Sequence, residues 1–335
     1  MHYPLLDIYR YFAALTVCLS HYIIYWNKSD YFELTSILGV ELFFVLSGFV
    51  LAPQIFKLEN NLKNNLRIFL LRRWIRTIPP YMVALICAAI FFGYGDYINL
   101  IKFMTYTQNI LRDNSVPNFF SVAWSLSVEE WFYIFLPFSF IITSKIKFRI
   151  FKFNVLTICL ITILLLNIIR FFYNNDGLNW GEDIRRSVIF RLDTLCFGVI
   201  AYSLKDKFKK KYLYPVFALS IIFIIYLIFN PLSLTTNTIL QNIFLPLCSI
   251  CFSSLLIILT KLPQPKSNIK RIGTYGANIS YSMYLFHIFF IPLTLNIFEN
   301  LLFSLIFYLT ILKIFCLIFF IYFEKPLLKS RPNYI

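Results

Sequence analysis

Long apolar runs separated by short polar stretches set the pattern of this chain. A helix that crosses a bilayer needs about 20 mostly apolar residues. Ten segments fit, near residues 8–26, 37–53, 79–94, 122–142, 153–172, 187–203, 214–230, 239–259, 279–298 and 301–323. The second, third and sixth are short. Pro79–Pro80, Pro215, Pro231 and Gly276 punctuate their boundaries, and the longest connections are roughly 54–78 and 95–121. No repeat, low-complexity tract or separate soluble domain is visible. The pattern predicts an all-α, polytopic membrane helix bundle of about ten transmembrane helices, forming a single domain over residues 1–335.

Composition agrees. The chain is 59% hydrophobic and only 14% charged, with a mean hydropathy of +0.71, whereas soluble domains are about a quarter charged. The net charge of +15 has to be judged against the bilayer, because cytoplasmic loops are enriched in Lys and Arg. With the N-terminus inside, the expected inner loops carry 22 basic residues, from Lys57 to Arg331. The outer loops carry five: Lys28, Lys102, Arg112, Arg185 and Arg186. Ten spans with both termini cytoplasmic are therefore self-consistent. The charge follows topology and gives no support to nucleic-acid binding; the expected surrounding is a lipid bilayer. No small-residue cleavage site follows Arg10, so the first apolar segment is expected to stay as a helix. All seven cysteines fall in apolar stretches. Cys248 and Cys251 form a CxxC with no second Cys or His pair nearby, which reads as packing rather than as a metal or redox site.

Ionisable residues inside a bilayer are costly and usually functional. Arg170 reads as a snorkelling residue near a helix end, Lys313 has no evident partner, and Arg191 and Asp193 can satisfy one another or a neighbouring helix. Arg10 and His21 are eleven residues apart. On one helix that is about 16 Å of rise and about 20° of rotation, so both face the same way. Alone, a buried His is more often a hydrogen-bonded packing residue; the Arg on its stripe changes the balance. Arg72, Arg73 and Arg76 group on one helical turn at the expected inner mouth of the third span, and guanidinium forks suit phosphates. Their plain reading is a topology signal or a contact with anionic lipid. Trp124 to Glu130, at the expected outer start of the fourth span, places two adjacent acids about 100° apart, so only one of Glu129 and Glu130 faces the interior. Glu41 is expected at a similar height. Ser280, Tyr284 and His287 share one helical face, which fits interhelical hydrogen bonding as well as catalysis.

These residues together resemble the acyltransferase 3 family of integral membrane proteins. The resemblance begins with Leu6-Asp7, Arg10 and His21, and continues with Gly39 to Phe49, the arginines Arg72, Arg73 and Arg76 with Pro79, and Trp124 to Glu130. Arg191-Leu192-Asp193, Ser280 to His287 and Glu324-Lys325-Pro326 complete the series in order. The resemblance implies acyl-CoA, usually acetyl-CoA, as cytoplasmic donor and a carbohydrate or lipid hydroxyl as acceptor. Bacterial surface glycans such as polysaccharide and lipopolysaccharide are the expected acceptor class, and the bacterial inner (plasma) membrane the expected location. It also implies Arg10 and His21 as the essential pair and Arg72, Arg73 and Arg76 as donor-side arginines. Some relatives append a soluble hydrolase-like domain; none is visible here, so transfer is expected from the helical unit or from a separate partner.

The expected mechanism has two ends. Arg10, Arg72, Arg73 and Arg76 bind the donor at the inner mouth, and its pantetheine arm reaches toward His21. His21, Glu129 and His287 form the expected catalytic set, with His21 as general base or as carrier of an acyl-imidazole. Glu41 and Glu130, with Glu129, are candidates for the acceptor's hydroxyls. Thioester cleavage needs no metal, and no ligand cluster suggests one. The rival class is a membrane transporter of a small anionic or sugar substrate; the lack of an internal repeat and the one-sided arginines weigh against it.

Overall fold

The computed structural model describes residues 3–27, 32–60, 62–111, 116–145, 154–174, 179–295 and 297–333, and is all-helical over them. The sequence positions Lys28, Arg112, Asn114, Lys147, Arg149 and Lys152 lie outside the described residues. In chain order the helices are α1 (Pro4–Asn27), α2 (Glu33–Asn60), α3 (Leu62–Phe92), α4 (Tyr97–Met104), α5 (Ala123–Lys145), α6 (Val155–Asn174) and α7 (Leu192–Leu204). They continue as α8 (Lys210–Phe229), α9 (Pro231–Thr236), α10 (Thr238–Thr260), α11 (Ser267–Thr294), α12 (Leu301–Phe319) and α13 (Lys325–Lys329). Seven helices among the described residues are long and apolar enough to cross a membrane. Their outward faces are apolar, as at Leu164 and Ile168 on α6, Leu219 and Ile222 on α8, and Leu302 and Ile314 on α12. The chain is an integral membrane protein.

Each of the ten expected segments coincides with a helix, but several boundaries move. The connection expected at 54–78 is helical almost throughout, because α2 runs to Asn60 and α3 starts at Leu62. Pro79 and Pro80 lie inside α3, and Gly276 lies inside α11. The reason is that basic turns at a membrane surface can remain helical while their side chains reach for water, so an apolar window ends before the helix does. Pro79 and Pro80 cannot donate to the carbonyls one turn earlier, yet the helix continues through them. The 13-residue α7 is about 20 Å long, shorter than a bilayer's hydrocarbon core.

The bundle is organised around α1, which packs between α2 and α11, while α2 packs in turn on α7. Small residues permit the close approach. A Cβ on Gly48 would collide with the carbonyl of Leu195, and one on Gly198 would collide with that of Val45. Gly276 likewise leaves room for the ring of Tyr11. Backbone contact of this kind is a common way for membrane helices to associate, since lipid offers no hydrophobic drive between them. Gly198→Val should therefore lower the yield of folded, monodisperse protein in detergent, whereas Ala201→Val, at a side chain with no such backbone collision, should be milder. Equal yields would remove the α2–α7 backbone contact as a determinant of the fold.

Two buried arginines are paired with carboxylates. Arg170 on α6 is 1% exposed and donates to both Asp193 oxygens, at 2.9 and 2.6 Å. This corrects its reading as a snorkelling residue: the Asp193 carboxylate on α7 holds it inside. Arg191 pairs with Glu41 on α2, both fully buried. Each cation thus joins a neighbouring helix rather than its sequence neighbour. Lys313 stands 5.8 Å from the Tyr11 ring centroid.

Candidate active site

One cavity opens between α1, α2, α3, α5 and α11. Its volume is about 150 Å³, or about 890 Å³ when the open space at its mouth is counted. Three guanidinium groups line it: Arg10 from α1, and Arg73 and Arg76 from α3. Arg10 and Arg76 make no hydrogen bond or ion pair with a described residue, while Arg73 donates to Gln54 Oε1 at 3.1 Å. Arg72 does not line the cavity; its Nη1 donates to the carbonyl of Pro332 at 2.5 Å. The helical turn of α3 separates the two directions, since Arg72 and Arg73 point about 100° apart.

Glu129 is the acid in this cavity. Its Oε1 accepts from Ser47 at 2.6 Å and its Oε2 from Tyr133 at 2.9 Å. Arg76 and Arg10 act on it electrostatically. Glu129 therefore sits among the arginines, two turns into α5. Glu130 faces a different pocket, lined by Trp74, Ile78, Tyr106 and Trp131. Glu41 is sealed against Arg191. The structure brings neither Glu41 nor Glu130 to the cavity, because each belongs to another face of its helix.

A hydroxyl pair lies in the cavity wall. Ser125 Oγ and Tyr284 Oη, both cavity-lining, are 2.5 Å apart. One turn farther along α11 is His287, whose ring centroid lies 6.0 Å from that of Tyr284. His287 meets His21: His21 Nδ1 and His287 Nε2 are 2.8 Å apart, and the rings stack at 5.1 Å with 19° between their planes. His21 itself does not line the cavity. The Ser125–Tyr284 pair and the histidine pair form successive layers.

The partners fix the tautomers. His287 Nδ1 lies 2.8 Å from the carbonyl of Tyr284 and 3.2 Å from that of Met283. Carbonyls only accept, so Nδ1 carries the hydrogen and, in the neutral ring, Nε2 presents a lone pair. His21 must then donate from Nδ1, which in its neutral ring leaves Nε2 as the unprotonated nitrogen. His21 Nε2 makes no hydrogen bond to a described residue. Two backbone carbonyls thus orient one imidazole, which orients the second.

Spacing along the chain did not reveal Ser47, Ser125 and Tyr133 as cavity residues, although the first two lie within the motifs read from the sequence. Nor did it join His21 to His287, which are 266 positions apart. Arg185 and Arg186, near enough for their charge to act on His21, meet Glu33 at 3.0 and 3.6 Å; Arg185 also stands over the Trp124 ring at 5.4 Å.

A family model described as an acyltransferase domain, that of the acyltransferase 3 family, matches residues 3–323. The chain is 26% identical over 151 residues to a peptidoglycan O-acetyltransferase of Listeria monocytogenes, covering 40% of this chain and 23% of that protein. It is 29% identical over 232 residues to a protein named as a putative O-acetyltransferase in Staphylococcus aureus strain COL, covering 62% of this chain and 36% of that one. An O-acetyltransferase of Staphylococcus aureus strain NCTC 8325 is 27% identical over 229 residues, with the same coverage. The chain spans between about a quarter and a third of the length of these curated relatives. No solved structure matches it. With a match running through nearly all of its helices, the chain belongs to the acyltransferase 3 family.

Proposed function

We propose that this chain is a membrane O-acetyltransferase, moving an acyl group, normally acetyl, from cytoplasmic acyl-CoA to a hydroxyl of a cell-surface or lipid-linked carbohydrate. The observation that carries this reading is the arginine-lined cavity with a wall one layer from a histidine whose Nε2 is held unprotonated. Arg73, Arg76 and Arg10 bind the phosphate-bearing donor, and Glu129, held by Ser47 and Tyr133, spaces and orients the guanidinium groups. The thioester reaches the layer of Ser125 and Tyr284. His21 Nε2 takes the proton of the acceptor hydroxyl as its oxygen bonds to the thioester carbonyl carbon. The carbon–sulfur bond breaks, and the imidazolium returns the proton to the departing CoA thiolate. His287 accepts from His21 Nδ1 throughout and stabilises the charged ring, the task of the orienting residue in a catalytic triad. The name of one relative specifies peptidoglycan; a hydroxyl-bearing surface glycan is the acceptor class for this chain.

The test is acceptor-dependent release of free CoA from acetyl-CoA by the purified protein in micelles. A transporter would move its substrate without cleaving the thioester. Arg73→Gln and Arg76→Gln should each weaken CoA binding about tenfold or more, because a charge-assisted hydrogen bond contributes roughly 1.5–3 kcal/mol. Unchanged affinity in the double variant would reduce these arginines to a topology signal.

Ten spans with both termini cytoplasmic, in a bacterial inner membrane, complete the proposal. The helix α7 then crosses together with the turn Val188–Phe190 that precedes it. Reporters fused at Asn114 and Lys209 should fall on opposite sides of the membrane. Both on one side would break this topology.

A further inference from the structure

A fourth arginine joins the inner mouth, and it comes from the other end of the chain. Arg331 follows α13, in the segment whose Pro332 carbonyl accepts from Arg72. Its Nε and Nη2 are buried without a hydrogen-bond partner among the described residues. Burial first, then the positive charges of Arg76, Arg73 and Arg72, push the Arg331 guanidinium down to about 9 from its ordinary 12.5. Glu324 offsets part of this charge, but Ser282 already donates to it. Like charges crowded in a partly buried place repel one another, and buried N–H groups left unpaired are costly. Both costs disappear when a multiply charged anion enters.

We infer that Arg331 is a donor-binding residue, and that it holds the phosphate farthest from the thioester. The inference rests on the acyl-CoA reading above. Arg73 and Arg76 line the cavity, while Arg331 is not among its lining residues but lies near enough to both to feel their charge, beside the Pro332 carbonyl that meets Arg72; we take Arg331 as the position farther from the thioester. In CoA the diphosphate follows directly on the pantetheine arm, and the 3′-phosphate lies beyond it on the ribose. Order along the ligand and order along the site then correspond: diphosphate to Arg73 and Arg76, 3′-phosphate to Arg331. Arg72 contributes by fixing the segment that carries Arg331.

The experiment compares CoA with 3′-dephospho-CoA on the full chain in micelles. The unaltered protein should prefer CoA by about tenfold or more. Arg331→Gln should abolish that preference by weakening CoA alone, and Arg331→Lys, which keeps the charge but loses the fork, should retain part of it. Melting of the ligand-free Arg331→Gln protein should be unchanged or raised, because a repelling charge has been removed. A lowered melting point with an intact preference for CoA would make Arg331 a structural anchor and overturn the inference. So would an equal effect, or none, on the two ligands. If the unaltered protein bound neither ligand, the donor reading itself would fall, and this assignment with it.

Discussion

His21→Ala should retain acetyl-CoA binding and lose transfer by about 10²–10⁴-fold, the range expected when a general acid–base group is removed. Binding survives because His21 does not line the arginine cavity. Transfer is lost because the nitrogen that takes the proton, His21 Nε2, is removed. His287 Nε2 is freed by the substitution, but it met His21 at Nδ1, across the imidazole from Nε2, and so lies a ring's width from the place where the base stood. The discriminating variants are His21→Asn and His21→Gln, which keep a hydrogen-bonding side chain and remove the base. A packing role would leave them nearly active. Acetyl incorporation into the glycan, measured beside CoA affinity, separates the cases, and near-normal acetylation by either variant would remove His21 from the chemistry. His287→Ala should be less severe than His21→Ala, because the base remains but its tautomer is no longer specified. Arg10→Ala should show a weakened donor affinity instead.

The second large effect is on stability. Glu41→Ala leaves Arg191 fully buried without its carboxylate, and breaking a buried ion pair by removing one partner costs about 3–5 kcal/mol. Thermal unfolding in micelles should fall sharply. Replacing both partners with apolar residues, Glu41→Leu with Arg191→Met, should recover much of the loss, because two desolvated charges disappear together. Whatever Glu41→Ala protein does fold should bind acceptor with ordinary affinity. A well-folded Glu41→Ala protein with weakened acceptor binding would return Glu41 to the acceptor site.

The contrast between Glu41 and Glu129 shows what a chain can disclose by itself. Hydropathy located the long helices, seven of which among the described residues are long and apolar enough to cross a membrane, because the cost of putting polar backbone in lipid leaves helices or closed barrels as the spanning structures. The shared stripe of Arg10 and His21 was also readable, since rotation per residue is fixed within one helix. Of the three arginines on one turn of α3, Arg73 and Arg76 line the cavity, while Arg72 turns to the Pro332 carbonyl. Helix ends were not readable, because basic surface turns in α3 and α11 stay helical beyond the apolar window. Partnership between helices was not readable either. Glu41 and Glu129 are both acids in apolar runs, and only packing assigns one to Arg191 and the other to the arginine cavity. Local geometry separated Glu129 from Glu130 by an angle without saying which faced inward. The tautomer of His21 depends on His287 and on two carbonyls of α11, and the environment of Arg331 depends on a segment more than 250 positions from Arg76. Periodicity governs what happens along a helix; which faces meet is decided by close approach at residues such as Gly48, Gly198 and Gly276, and that exists only once the helices are packed.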